Sequence, residues 1–129
     1  MENYDVDLII NAARKGADKA YVPYSNFPVG AAVITKAGTV FTGCNIENAS
    51  YGATICAERV AVNNAVSAGD ADIKAIAVYN AQTLPYPCGI CLQVMAEFNK
   101  DMKVIVFTDE DMVSYELDQL LPFAFKLEE

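Results

Sequence analysis

The stretch from Ile73 to Cys91, IKAIAVYNAQTLPYPCGIC, decides the fold. Its first seven residues are almost all apolar and read as a buried strand. It closes on Pro87-Cys88-Gly89-Ile90-Cys91. From Cys91 onward, Val94, Met95 and Phe98 fall at i+3, i+4 and i+7, the spacing of one helix face. Residues 103–107, KVIVF, then read as a second buried strand. A strand, a helix and another strand in succession imply a parallel pair.

The rest of the chain fits around this unit. Val6, Ile9, Ile10, Ala13, Ala17 and Ala20 have helical spacing and predict an amphipathic first helix ending before Pro23. Residues 29–35 and 39–44 are short apolar runs, with Lys36-Ala37-Gly38 between them as a hairpin turn. Residues 57–68 read as a helix with Gly69 as its stop. A short helix over 116–121 ends at Pro122. No repeat or low-complexity linker interrupts the chain, so residues 1–129 are expected to form one domain. The class is α/β, with a mixed sheet carrying helices on both faces.

Hydrophobic residues make up 53% of the 129 and charged residues 20%, a rich apolar content for so small a domain. Part of that surface is expected to lie against another copy of the chain. The net charge of -8, with nine Lys and Arg and no basic cluster, weighs against nucleic acid as a partner. Met1-Glu2-Asn3-Tyr4-Asp5 is polar and acidic, without the basic start of a secretory leader. No apolar run approaches the roughly 20 residues of a membrane span. A cytoplasmic location is expected, where four cysteines are thiols or metal ligands rather than disulfides. The chain has no histidine, so proton transfer near neutral pH falls to a carboxylate with a raised pKa.

Cys88 and Cys91 stand at the start of one predicted helix and Cys56 at the start of another. Helix starts offer free N–H groups and partial positive charge, which favour thiolate. Three thiolates together suit Zn2+, and three protein ligands leave the open position of a catalytic site. A thioredoxin-type redox pair is the competing reading of C-x-x-C alone. A structural four-cysteine zinc would need Cys44, which reads better as a buried thiol at a strand end. Glu58, two residues after Cys56, is either a solvated surface glutamate or a proton carrier beside the open position. Three thiolates outweigh the charge of one Zn2+. Arg59 can relieve that excess by hydrogen-bonding a thiolate, or it is a plain surface arginine.

Cys56-Ala57-Glu58 followed by Pro87-Cys88-Gly89-Ile90-Cys91 carries the zinc deaminase signature, with Cys where many members have His. Residues 24–32, YSNFPVGAA, and 43–49, GCNIENA, with Leu120-Leu121-Pro122, narrow the match. From about Tyr4 to Phe125 the chain resembles the small cytidine deaminases of the homotetrameric, three-cysteine zinc type. The resemblance implies a three-layer α/β/α sandwich with a mixed five-stranded sheet. It implies one Zn2+ per subunit on Cys56, Cys88 and Cys91, and hydrolytic deamination of cytidine and deoxycytidine to uridine and deoxyuridine in pyrimidine salvage. In that chemistry zinc-bound hydroxide attacks C4 and Glu58 shuttles the protons. The resemblance also assigns Phe27 to the base, Ala57 to substrate binding and Phe125 to a neighbouring subunit's site, so active sites are shared in the homotetramer. The same family reading puts Tyr51 near subunit contacts.

Asn45 and Glu47 have their own reading. Two apart in an extended segment, they project to one side, and an amide with a carboxylate suits a sugar hydroxyl. A turn asparagine and a solvated glutamate are the plainer alternative. The family uses the matching pair for the ribose 3′-hydroxyl. One position departs from the family pattern: Leu92 stands where Arg usually follows the second cysteine of the pair. Arg59 is then expected to carry more of the charge compensation. The apolar residue is expected to affect the pocket rim and so the tolerance of C4 substituents. A same-fold enzyme for C4-modified cytidines, or for another aminated heterocycle such as blasticidin S, is the alternative substrate reading.

Overall fold

The computed structural model describes residues 4–127; Met1 to Asn3 of the polar start lie outside them. Helix α1, Val6–Ala17, is capped by the Asp5 carboxylate, which accepts from the Leu8 amide at 3.2 Å. Strands β1, Gly30–Thr35, and β2, Val40–Cys44, form the hairpin. Its turn is closed by bonds between Thr35 and Thr39 and between Gly38 and Thr35, and Gly38 takes φ +90°. Helix α2, Ala57–Ser67, is followed by strand β3, Ile73–Tyr79, and helix α3, Gly89–Phe98. Strands β4, Lys103–Phe107, and β5, Met112–Glu116, and a single turn of helix α4, Leu117–Leu120, complete the chain.

The five strands form one sheet in the order β2-β1-β3-β4-β5. Only β3 and β4 run parallel; the other three pairings are antiparallel. This is the mixed sheet that the alternation implied. Two expectations need correction. Helix α1 ends at Ala17, before Ala20, because Asp18 and Lys19 already turn back onto the last carbonyls of the helix. The family resemblance implied five strands, as found, but the residue pattern located only four and passed from β4 to a helix at 116–121 without β5.

The three inner strands β1, β3 and β4 bury both faces, and the faces have different owners. Ala32, Ile34, Ala75, Ala77, Tyr79, Ile105 and Phe107 pack under α1, against Ile9, Ile10, Ala13 and Ala17. Ala31, Val33, Ile76, Val78, Val104 and Val106 pack under α2 and α3, against Ala61, Val62, Cys91, Leu92 and Met95. The result is three layers. Leu92 belongs to this second core.

One close approach sets the height of α2. A Cβ added to Gly43 would collide with the Ala57 carbonyl oxygen and the Ala61 amide nitrogen. The first turn of α2 therefore lies directly on β2. Among the described residues no helix is long and apolar enough to cross a membrane.

Candidate active site

The strand register defines where the site lies. Gly30 pairs with both Cys44 and Tyr79, Tyr79 with Phe107, and Phe107 with Met112. One end of the sheet is thus a level row. Three connecting segments meet there: residues 18–29 before β1, 45–56 after β2 and 80–88 after β3. In α/β sheets this carboxyl-end rim is where ligands lodge.

The 45–56 segment is tied down by short bridges of Ile46 with Tyr21 and with Ile55. It delivers Cys56 to the N-cap of α2 with extended backbone, φ -75° and ψ 154°. The 80–88 segment delivers Cys88 to the N-cap of α3 in the same conformation, φ -76° and ψ 170°. Cys91 lies one turn into α3, fully buried. The three sulfurs lie within 4.8 Å of one another. Cys56 Sγ is 3.9 Å from Cys88 Sγ, and Cys88 Sγ is 3.5 Å from Cys91 Sγ. Two sulfurs at about 2.3 Å from a zinc ion in a tetrahedron stand about 3.8 Å apart. The donors therefore fit Zn2+ in type and in spacing. Cys44 ends β2, half-buried, and is not part of this cluster.

The sulfurs do not share charge equally. A hydrogen bond from Cys91 holds the Cys56 thiol down to about 5, helped by Arg59 and Cys88 and opposed by burial. The Cys91 thiol is pushed up, first by donating that bond and then by burial. Cys56 thus ionises before Cys91, and a bound dication would help draw the proton from Cys91. Arg59 Nη2 lies 3.7 Å from Cys56 Sγ, and this contact raises the guanidinium pKa further. The Arg59 Nε is buried without a hydrogen-bond partner.

Glu58 is 4% exposed. Burial pushes its carboxyl up to about 7, and the neighbouring Cys56 charge adds to the rise. Beside it opens a cleft of ≈ 220 Å³ lined by Phe27, Val29, Asn45, Cys56, Ala57, Glu58, Pro85, Tyr86 and Cys88. This is smaller than the roughly 300–1,000 Å³ of drug-sized sites, and the right scale for one ring. Phe27, Asn45, Ala57 and Glu58 thus meet two of the three cysteines in one place, and Cys91 lies directly behind them.

Asn45 is heavily engaged. Its Oδ1 accepts from the Val29 amide at 2.9 Å and its Nδ2 donates to the Phe27 carbonyl at 2.9 Å. Glu47 accepts from the amides of Tyr24 and Ser25 at 3.0 and 3.1 Å. Hydrogen bonding from Ser25 holds its carboxyl below the usual range. Glu47 lines an adjoining, wider cleft of ≈ 390 Å³ with Tyr24, Ser25, Asn48, Tyr51 and Thr54. Tyr51 is 82% exposed there. Phe125 stands apart from both clefts. Its backbone is clipped to Gln93 of α3 by bonds of 3.0 and 3.1 Å, while the ring is exposed.

Sequence reasoning passed over Pro85 and Tyr86, which form a wall of the cleft. Their signal was only position, directly before the cysteine pair. Leu92, expected at the pocket rim, does not line the cleft but fills the core under α3.

The comparisons agree with this geometry. Residues 5–108 match the family model described as the cytidine and deoxycytidylate deaminase zinc-binding region. The cytidine deaminase of Halalkalibacterium halodurans is 47% identical over 128 residues, covering 97% of each chain. That of Sporosarcina psychrophila is 44% identical over 128 residues, covering 97% of this chain and 94% of its own. The crystal structure of cytidine deaminase from Burkholderia pseudomallei superposes with a TM-score of 0.89 at 44% identity, over 94% of this chain and 99% of that one. With a model match across most of its length and relatives this similar over nearly all of it, the chain belongs to the cytidine and deoxycytidylate deaminase family.

Proposed function

We propose that the protein is a zinc-dependent cytidine deaminase that hydrolyses cytidine and deoxycytidine to uridine and deoxyuridine, releasing ammonia, in pyrimidine salvage. The observation that carries this reading is the meeting of three tetrahedrally spaced sulfurs and one buried carboxyl at a ring-sized cleft.

Cys56, Cys88 and Cys91 hold the ion, one per chain. When bound, zinc supplies a Lewis acid that acidifies water. The work of the chain's own residues follows from their places. Glu58, buried beside the open coordination position and held as carboxylate by a nearby dication, takes a proton from the water that adds at C4. It passes protons to ring N3 and to the departing amine nitrogen, so that charge does not accumulate on the ring. Phe27 packs on the base. Ala57 opens α2 and lines the cleft, and its N–H, with no intrahelical acceptor, serves as a donor to the substrate in this reading. Asn45 and Glu47 reach the sugar. Each retains hydrogen-bonding capacity beyond its contacts to the 24–29 segment, since an amide offers two donors and a carboxylate about four acceptor sites. Arg59 neutralises part of the sulfur charge through Cys56.

The protein acts on free nucleosides in the cytoplasm as one domain, and it assembles as a homotetramer. Exposed Phe123, Phe125, Tyr51 and Ile90 provide apolar surface for assembly, and Phe125 serves a neighbouring copy's site. The test combines metal analysis with the loss of the cytidine absorbance band. One zinc per chain with turnover, and a zinc-loaded but inactive Glu58→Gln variant, is the expected result. A variant that turns over normally, or a chain that holds no zinc, overturns the reading.

A further inference from the structure

We propose that Asn80 is a positioning residue that registers the two walls of the cleft against each other; this rests on the reading of that cleft as the nucleoside site. Asn80 directly follows β3 and is 5% exposed. Its Nδ2 donates to the Pro28 carbonyl oxygen at 2.8 Å. Its Oδ1 accepts from the amides of Gln82 at 3.0 Å and Thr83 at 2.9 Å. The orientation of the amide follows from its partners, since a carbonyl oxygen needs the NH₂ and two N–H groups need the oxygen.

Those partners belong to opposite sides of the cleft. Pro28 sits between Phe27 and Val29, which line one wall. Gln82 and Thr83 start the loop that runs to Pro85, Tyr86 and Cys88, which line another. Fifty-two residues separate Asn80 from Pro28 along the chain, and one buried amide joins the two segments. None of its side-chain hydrogen bonds reaches the sulfur cluster or Glu58, so its effect on the reaction is transmitted through what it holds.

The two halves of the amide can be removed separately. Asn80→Asp keeps an acceptor for Gln82 and Thr83 but loses the donor to Pro28, and it sets a negative charge against that carbonyl. Asn80→Ala removes both. The wall bearing Phe27 packs on the base in ground state and transition state alike, so its loss shows in KM. The loop bearing Cys88 governs the metal and the reacting geometry, so its loss shows in kcat and zinc content.

The experiment compares the zinc-loaded enzyme with both variants in cytidine turnover at pH 8, with zinc content measured alongside. Asn80→Asp is expected to keep one zinc per chain and to raise KM about tenfold, with kcat within about threefold of the parent. Asn80→Ala is expected to show the same rise in KM and, in addition, a fall of about tenfold or more in kcat or in retained zinc. A wild-type KM in Asn80→Asp overturns the proposal, and so does an identical kinetic change in both variants. If the parent does not deaminate cytidine, the reading of the cleft fails. Zinc retention by Asn80→Asp against its loss by Asn80→Ala then still decides whether this side chain holds the Cys88 wall.

Discussion

Replacing Glu58 by Gln should make the protein more stable and nearly inactive, and the size of the first effect follows from burial. The carboxyl moves from 4.5 to about 7 in the folded chain, chiefly because it is taken out of water. Below pH 4.5 it is protonated in folded and unfolded chains alike and contributes no difference. Between 4.5 and 7 the folded chain keeps a proton that the unfolded chain has lost, so stability falls as pH rises. Above 7 the cost is constant. A rise of about 2.5 in pKa, at about 1.4 kcal/mol for each, makes that cost about 3 kcal/mol. Glutamine has the same shape and no charge to desolvate. In protein stripped of metal, the stability of Glu58→Gln relative to the parent should grow from about zero at pH 4.5 to about 3 kcal/mol at pH 8. That is about 10 °C in melting temperature for a chain of this length. Urea unfolding across this range measures it. Zinc loading should shrink the difference, because a nearby dication favours the carboxylate. Turnover of the zinc-loaded variant should fall about 10²- to 10⁴-fold. A difference that stays flat with pH would refute the argument that desolvation tunes this carboxyl.

Three further perturbations test the surroundings of the site. Arg59→Gln removes the cation 3.7 Å from Cys56 Sγ, so zinc affinity and turnover should both drop by about tenfold, readable by competition with a chelating dye and by steady-state kinetics. Gly43→Ala pushes a methyl group into the α2 backbone; a loss of about 1–3 kcal/mol in thermal unfolding, with reduced zinc content, should follow as Cys56 is displaced. Cys44→Ala should keep one zinc per chain and wild-type kinetics, because that sulfur lies outside the cluster; loss of metal in this variant would place it among the ligands.

Much of this architecture is legible in the residues because local pattern and tertiary role coincide. Strands β3 and β4 are buried on both faces, so their apolar runs read at full strength. The cysteines sit at helix starts, where a break in periodicity marks them. Strand β5 escaped for the opposite reason. As an edge strand it buries only Val113 and Tyr115 in part, and its exposed Met112, Ser114 and Glu116 dilute the alternation. Ala20 matched the helical spacing of α1, yet spacing carries no term for the Asp18 cap that ends the helix three residues earlier. Asn45 and Glu47 were readable as a pair facing one way. That they grip the backbone of residues 24–29 was not, since those contacts bridge segments 16 to 23 residues apart. Asn80 left no periodic trace, because an asparagine after a strand reads as an ordinary turn residue.

The two helix starts that carry the sulfurs lie 32 residues apart in the chain. Whatever grips all three sulfurs is also a clasp between α2 and α3, closing a long loop without a disulfide. The clasp tightens by mass action: a free metal level one hundred times its dissociation constant adds about 2.7 kcal/mol to the folded form. That gain nearly matches the burden of the charged Glu58. Metal removal should therefore lower the unfolding free energy of the protein as well as its activity.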